Sequence, residues 1–347
     1  MIKKVSIKDI ARKVGVSTAL VSYVLNGKAE QARVGKEMAE KISKVAREMN
    51  YQPNLIARGL KDGRTKTIGL IVADISNAFF SSLARIIEDE AKQHGYTVIF
   101  GSSDEQPGKM ADLITALLNR QVDGMIIAPV EHGDAQIQEL RRKGISFVLV
   151  DRYYHKINTN RVTINNHEAS FNAVKLLIKN GYKKPGMLAY DNSLPHMQER
   201  IRGYEQALKE AHIRRKPEWL ARIPYATANT DMESLLSNLL RGPNAPDALF
   251  FATNSLAVQG LKIINRMGIR VPQELGLISF DEHDAFDFFY SPVTYVSQNL
   301  LAIGQETVRM LISQIEDGKK SEPVQLEIPA KLVKRESCGS KPAGKKK

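Results

Sequence analysis

The chain has 347 residues, 43 % hydrophobic and 25 % charged, which allows more than one domain and a sizeable core. No apolar run approaches the roughly 18 residues that a membrane span needs, and the single cysteine, Cys338, excludes an internal disulfide and a cysteine-based zinc site. The formal net charge of +12 lies at the ends: residues 1–66 hold 15 Lys+Arg against 6 Asp+Glu, residues 334–347 hold 6 against 1, and residues 67–333 hold 29 against 31. A basic head on a near-neutral body points to a polyanion met by the head; the other reading is a solvated basic surface. Met-Ile-Lys-Lys at the start has the charge of a signal peptide without the apolar stretch that would follow, so this reading places the protein in the cytoplasm.

The first helix begins with Ser6 as N-cap and Asp9, three residues on, as its reciprocal acceptor. Ile7, Ile10, Ala11 and Val14 share one face, and Gly15 ends the helix. Ser17 caps a second helix with Leu20, Val21, Val24 and Leu25 inward, stopped at Gly27. A third runs from about Lys36 to Asn50 behind Gly35, a permissive cap, with Met38, Ile42, Val45, Ala46 and Met49 inward. Two short helices joined by a Gly turn form a helix-turn-helix, whose second helix enters the DNA major groove. The same spacing occurs in other helical proteins, so the pattern alone leaves both readings open. Lys61 to Lys66 is polar, contains a Gly and reads as linker.

From residue 67 apolar strands alternate with amphipathic helices: strands at 68–73, 97–100, 125–128 and 147–150, helices at 80–94, 110–120 and about 133–143. Continuous apolar strands between helices imply a parallel sheet covered on both faces. The second half repeats the first. Pro185–Ser193 is similar to Ile68–Ser76 at an offset of 117, Asp247–Thr253 to Asp123–Pro129 at 124, and Leu277–Asp281 to Phe147–Asp151 at 130. Either an old tandem duplication or a chance likeness of buried strands accounts for this. Two doubly wound lobes bind ligands beyond the carboxyl ends of their strands, which brings Asp74, Asp151, Asp191, Asn254 and Asp281 to one cleft. The chain is expected to cross between lobes near 160, return near 285–297 and end in the C-terminal lobe.

Ile7 to Ser17, Val21-Ser22, Val24-Leu25-Asn26, Asn50-Tyr51-Gln52-Pro53-Asn54 and Ala57-Arg58-Gly59-Leu60 together resemble the LacI/GalR family, and the resemblance extends over nearly the whole chain. It implies an α/β protein: an all-α helix-turn-helix head, 1–53; a hinge helix and linker, 54–66; two parallel-sheet lobes of periplasmic-binding-protein type, 67–333; and a basic tail, 334–347. In that family side chains at the start of the second helix read bases, and the matching positions here are Thr18, Ala19 and Tyr23, with Ser17, Ser22 and Asn26 completing the expected DNA-binding face. Ala19 departs in kind, since it can only touch a thymine methyl. Asn54, Ala57, Leu60 and Lys61 match the hinge helix that forms on DNA, and Leu60 matches a leucine that wedges into the minor groove; alternatively Leu60 packs against its dimer mate.

The resemblance also implies an effector site. Phe79 and Phe80 match aromatics that follow the first strand, although Asn77-Ala78 stands where the family often has Asn-Pro. Asp151-Arg152 ends the fourth strand, and Arg152, His196 and Arg200 are the residues that would face a phosphate if the effector carried one. Arg200 matches an effector clamp, Tyr225 a stacking aromatic, Asp281 an acid that accepts hydroxyl hydrogens and Gln298 a cleft-edge glutamine. Asn254 replaces a frequent aspartate. Carboxylates, a guanidinium and aromatics suit a sugar; a nucleoside remains open, and a sugar phosphate lacks a Gly-rich phosphate loop to support it. No Gly-x-Ser-x-Gly elbow, Walker loop or Gly-x-Gly-x-x-Gly is present and the seven histidines lack metal spacing, which argues against an enzyme, a metal or a cofactor. A solute-binding protein would have no use for the basic head. The expectation is a regulator, by this reading a repressor, that acts as a homodimer on a pseudo-palindromic operator and has no membrane partner.

Overall fold

The computed structural model describes residues 5–51, 64–317 and 322–340, and the chain divides into two compact units, Met1–Thr65 and Lys66–Lys347. The first contains α1 (Ile7–Val14), α2 (Thr18–Leu25) and α3 (Lys36–Glu48). The Ser6–Asp9 box forms: Asp9 Oδ2 accepts from the Ser6 backbone N–H at 3.0 Å, while Ser6 Oγ accepts from the Asp9 N–H at 3.4 Å. Gly15 ends α1 at φ 82°, a left-handed conformation that a side chain would strain. Ser17 Oγ then takes the Leu20 N–H at 3.2 Å and starts α2. Ile10, Ala11, Val14, Val21, Ile42 and Ala46 form the buried centre of this unit. The hinge reading, with Asn54, Ala57, Leu60 and Lys61, lies outside the described residues.

In the second unit β1 (Thr67–Val72), α4 (Ala78–Gln93), β2 (Thr97–Ser102), α5 (Pro107–Asn119), β3 (Gly124–Ile127), α6 (Asp134–Arg142), β4 (Phe147–Val150) and β5 (Arg161–Ile164) build the N-terminal lobe. The C-terminal lobe follows with α7 (Asn166–Lys179), β6 (Pro185–Tyr190), α8 (Pro195–Glu210), β7 (Leu220–Ile223), α9 (Ala228–Arg241), β8 (Ala248–Phe251), α10 (Asn254–Arg266), β9 (Gly276–Phe280), α11 (Ala285–Phe288) and β10 (Thr294–Ser297). Then α12 (Leu300–Asp317) returns to pack on β3, β4 and α4, β11 (Gln325–Ile328) joins the first sheet and β12 (Lys331–Val333) the second.

The sheet orders are β11-β5-β4-β3-β1-β2 and β12-β10-β9-β8-β6-β7. The three repeated segments therefore fall on equivalent strands, β1 with β6, β3 with β8 and β4 with β9. β3, β4, β8 and β9 are buried along their whole length, as strands covered by helices on both faces must be. One edge departs from the parallel expectation: β12 runs antiparallel to β10, because it arrives directly from β11 of the other lobe.

The chain crosses between lobes near 165, near 298–299 and near 329–330 and ends in the C-terminal lobe, which is the expected path with the first two crossings a few residues further on. One reading needs correction: the segment from 334 is not all tail. Ser337 Oγ donates to the Leu277 carbonyl at 2.6 Å, Cys338 is buried, and the Gly339 carbonyl accepts from Tyr182 Oη at 3.1 Å. Small uncharged residues there fit against β9 and β10, a fit that charge counting misses.

Candidate functional site

On α2 the side chains of Ser17, Thr18, Ala19, Tyr23 and Asn26 are exposed and Ser22 is half-buried. Val21, between them, is fully buried and anchors the helix, so one turn of α2 faces outward as a unit. Asn26 is partly engaged already: its amide donates to the Ser22 carbonyl at 2.8 Å and to Ser22 Oγ at 3.2 Å, closing the end of α2.

In the larger unit the strand ends meet. Asp151 after β4 and Asp281 after β9 both adopt φ 65°, a left-handed turn that Asp tolerates better than most residues. Both side chains are buried. Arg152 gives both terminal nitrogens to Glu105, Nη1 to Oε2 and Nη2 to Oε1, each at 2.8 Å, and lies 3.4 Å from Asp151 through Nε. Its guanidinium sits 5.3 Å over the ring of Phe80, which meets Phe79 edge-on at 5.0 Å. Phe79 and Phe80 are therefore the packed floor of the N-terminal half of the cleft.

Arg200 organises the other half. Its Nε donates to Asn166 Oδ1 at 2.8 Å and its Nη1 to the Ala252 carbonyl at 2.7 Å, with Asp281 Oδ2 at 3.7 Å and the Phe280 ring 3.6 Å away. This reach depends on α8 lying close to α7. At Gly203, one turn on from Arg200, a Cβ would run into the backbone of His167 and Phe171. Gln298 Nε2 donates to Asp281 Oδ1 at 2.5 Å. Tyr225 spans the cleft mouth, donating to Asp74 Oδ2 at 2.6 Å and tilting against Tyr190 at 5.3 Å.

The charges are coupled. Burial pushes the Asp151 carboxyl up to about 6, opposed by Arg152 and Arg200 and reinforced by Asp281 and Glu105. Burial likewise raises Asp281, opposed by Arg200 and Gln298. Burial, with the charges of Arg152 and Arg200, holds the His196 imidazole well below its usual range, so it is neutral. Among the described residues, Asp151 Oδ1, Arg152 Nε, His196 Nδ1 and Gln298 Oε1 are buried polar atoms without a hydrogen-bond partner. Such atoms are costly unless something completes them.

The structure thus brings Phe80, Asp151, Arg152, Arg200, Asp281 and Gln298 into one network, with Tyr225 at its mouth and His196 under the field of both arginines. Asn254 is less free: its amide donates to the Glu282 carbonyl at 3.3 Å, as expected of a residue opening α10. Asp191 is exposed and pairs with Arg222 at 3.6 Å, so it does not join. Glu105 and Asn166 were missed by the sequence reading. Glu105 follows β2, and the strand-end rule that picked Asp151 applies to it equally; Asn166 opens a helix after β5, a strand the reading did not identify.

Residues 6–54 match the model of bacterial regulatory proteins of the lacI family, and residues 174–338 match a periplasmic binding protein-like domain. The HTH-type transcriptional repressor CytR of Escherichia coli is 32 % identical over 314 residues, 90 % of each chain. The sucrose operon repressor of Klebsiella pneumoniae is 31 % identical over 331 residues, 95 % of this chain and 98 % of its own. Among solved structures, a lac repressor dimer bound to operator and an anti-inducer superposes with a TM-score of 0.83 at 22 % identity, covering 97 % of this chain and all of the other, which speaks for the fold. A putative ribose operon repressor from Burkholderia thailandensis gives 0.69 at 28 % identity over 78 % of this chain and 99 % of its own. A 32 % identity across nine-tenths of two chains, headed by the matching DNA-binding segment, means that the chain belongs to the LacI family: it is a DNA-binding transcriptional regulator rather than an enzyme.

Proposed function

We propose that the protein is a repressor that grips a two-fold operator as a homodimer, with α2 of each copy in a major groove, and that a polyhydroxylated small molecule in the cleft between the lobes controls it. The outward turn of α2 bearing Thr18, Ala19 and Tyr23 supports the DNA reading, since an exposed helix face beside a basic surface is what groove entry needs. Relatives named as repressors and a dimeric lac repressor on operator support the rest. Asn54, Ala57, Leu60 and Lys61 are proposed to complete the DNA contact, with Leu60 as minor-groove wedge. A chain acting this way works in the cytoplasm; no described helix is long and apolar enough to cross a membrane.

One observation carries the effector reading: the unpartnered polar atoms Asp151 Oδ1 and Gln298 Oε1, buried at the strand ends, and His196 Nδ1, buried in the first turn of α8. A ligand rich in hydroxyl groups completes them, and it acts on DNA binding only through unequal affinity for the two lobe arrangements. Phe79, Phe80, Arg200, Tyr225, Asn254 and Asp281 shape and orient the same site. A thermal-shift screen of sugars and nucleosides tests this, because binding to the folded state raises the melting temperature. Nucleosides are included because Tyr190 and Tyr225 offer ring faces at the mouth. If no hydroxylated compound stabilises the protein and none alters operator binding, the cleft reading is wrong.

A further inference from the structure

We infer that the cleft selects an uncharged hydroxylated effector and rejects the phosphate ester of the same compound. This rests on the reading of the cleft as the effector site and narrows it to a chemical class. The network holds three carboxylates, Glu105, Asp151 and Asp281, against two guanidiniums, Arg152 and Arg200, and Asp74 adds a fourth carboxylate at the mouth. His196 is neutral there and supplies no balancing charge. A phosphate dianion entering this space would meet a field already negative.

The hydrogen-bonding pattern points the same way. Phosphate recognition needs guanidinium forks or backbone N–H groups that are free to donate. Both terminal nitrogens of Arg152 are held by Glu105, and Arg200 gives Nε and Nη1 to Asn166 and the Ala252 carbonyl. Two helix N-termini at the strand ends are capped by their own side chains: Asn77 Oδ1 takes the Phe79 N–H at 3.0 Å, and Thr253 Oγ1 takes the Leu256 N–H at 3.3 Å. The atoms left over include two acceptors, Asp151 Oδ1 and Gln298 Oε1, and the ring nitrogen His196 Nδ1, while Arg152 Nε faces the Asp151 carboxylate at 3.4 Å. A hydroxyl group both donates and accepts, so a polyol satisfies all three. A phosphate dianion only accepts, and would leave both acceptors facing its oxygens.

The test uses the full-length chain and calorimetric titration with matched pairs: D-ribose and ribose 5-phosphate, D-fructose and fructose 6-phosphate, D-glucose and glucose 6-phosphate, cytidine and its 5′-monophosphate. At least one uncharged member binds, and its ester binds about 100-fold more weakly or not at all. An ester that binds as tightly as its parent overturns the inference and leaves the hydroxyl-rich reading standing. If neither member of any pair binds, that underlying reading fails and the inference falls with it. Glu105→Gln gives a second readout, since it removes one carboxylate and releases the Arg152 fork. In a variant whose circular dichroism matches the parent, the ratio of ester to parent affinity moves at least about tenfold toward the ester. An unchanged ratio overturns the role given to Glu105.

Discussion

Tyr225 of the C-terminal lobe donates its phenolic hydrogen to Asp74 Oδ2 of the N-terminal lobe across 2.6 Å. A second bridge lies at Glu131, whose Oε1 accepts from the Ser193 backbone N–H at 2.7 Å and from Ser193 Oγ at 2.5 Å. Each partner follows a different strand, so these bonds exist only when the lobes are closed on one another. They favour the arrangement in which the buried polar atoms of the cleft face a common ligand.

Tyr225→Phe removes the first bridge and keeps the ring. A hydrogen bond to a carboxylate contributes roughly 1.5–3 kcal/mol, less here because Tyr225 is partly exposed. If the closed arrangement is the effector-binding one, affinity falls about three- to tenfold, read by calorimetry, with little change in melting temperature without ligand. Unchanged affinity would show that closure does not depend on this contact.

Arg200 and Asp281 are more deeply built in than the family resemblance suggests. With Arg200 tied to Asn166, Ala252 and Asp281, Arg200→Ala leaves the buried Asp281 carboxylate without its cation, held by Gln298 alone, and costs roughly 3–5 kcal/mol of stability. Effector response is then lost through weakened folding as much as through a missing contact. The pair Arg200→Met with Asp281→Asn recovers most of that stability without restoring the response. Denaturant titration of Arg200→Met, Asp281→Asn and the double variant decides it; additive losses in the double variant would mean that the two side chains do not act as a pair.

Asp151 makes stability depend on pH. Its carboxyl is pushed up to about 6, so the folded chain keeps a proton that the unfolded chain releases near the usual 3.8. The stabilising contribution is complete below about pH 4 and is lost as pH rises through about 6, a difference of roughly 3 kcal/mol for two pK units. Asp151→Asn therefore gains on the parent between pH 4 and pH 7.5. Hydroxyl donors favour the ionised form, so effector binding to the parent strengthens over the same interval with release of a proton. A stability difference between variant and parent that stays flat across this range would refute the assignment.

The sequence made the lobes legible because β1, β3, β4, β8 and β9 are apolar runs that a two-sided parallel sheet requires, and because three of them recur in order. β7, β11 and β12 were not legible: they are short edge strands that hold exposed positions and at most two buried ones, so they carry no such run. In the site, Asp151 and Asp281 stood out as strand-end acids. What the sequence did not reveal is engagement. Nothing in Asn254 or Asn26 announces that its amide is tied to a nearby carbonyl, and Glu105 becomes visible only when Arg152 is seen to grip it. The lobe crossings near 160 and 285–297 were legible to within a few residues, and the third was implied by a chain that ends in the C-terminal lobe, although the two-residue segment 329–330 where it falls carries no pattern of its own.

The head stands on a small core, which makes its role separable. Ile42 of α3 is fully buried among Ile10, Ala11, Val14, Val21 and Ala46. Truncation of such a side chain costs roughly 2–5 kcal/mol, while a domain of this size holds only about 0.05–0.15 kcal/mol per residue. Ile42→Ala in the full-length chain therefore melts the head at ordinary temperature and leaves the larger unit, with a core of its own, folded. Operator binding should vanish, whereas calorimetric binding of a cleft ligand is unchanged. In the parent, with roughly 6–10 phosphate contacts, affinity for DNA falls about 10³–10⁵-fold between 50 and 200 mM salt, and a chain lacking residues 1–66 shows no such binding at any salt. If Ile42→Ala binds operator like the parent although its head is shown to be unfolded by amide exchange, or if the shortened chain still binds, then the DNA surface is not α2 and the basic head serves something else.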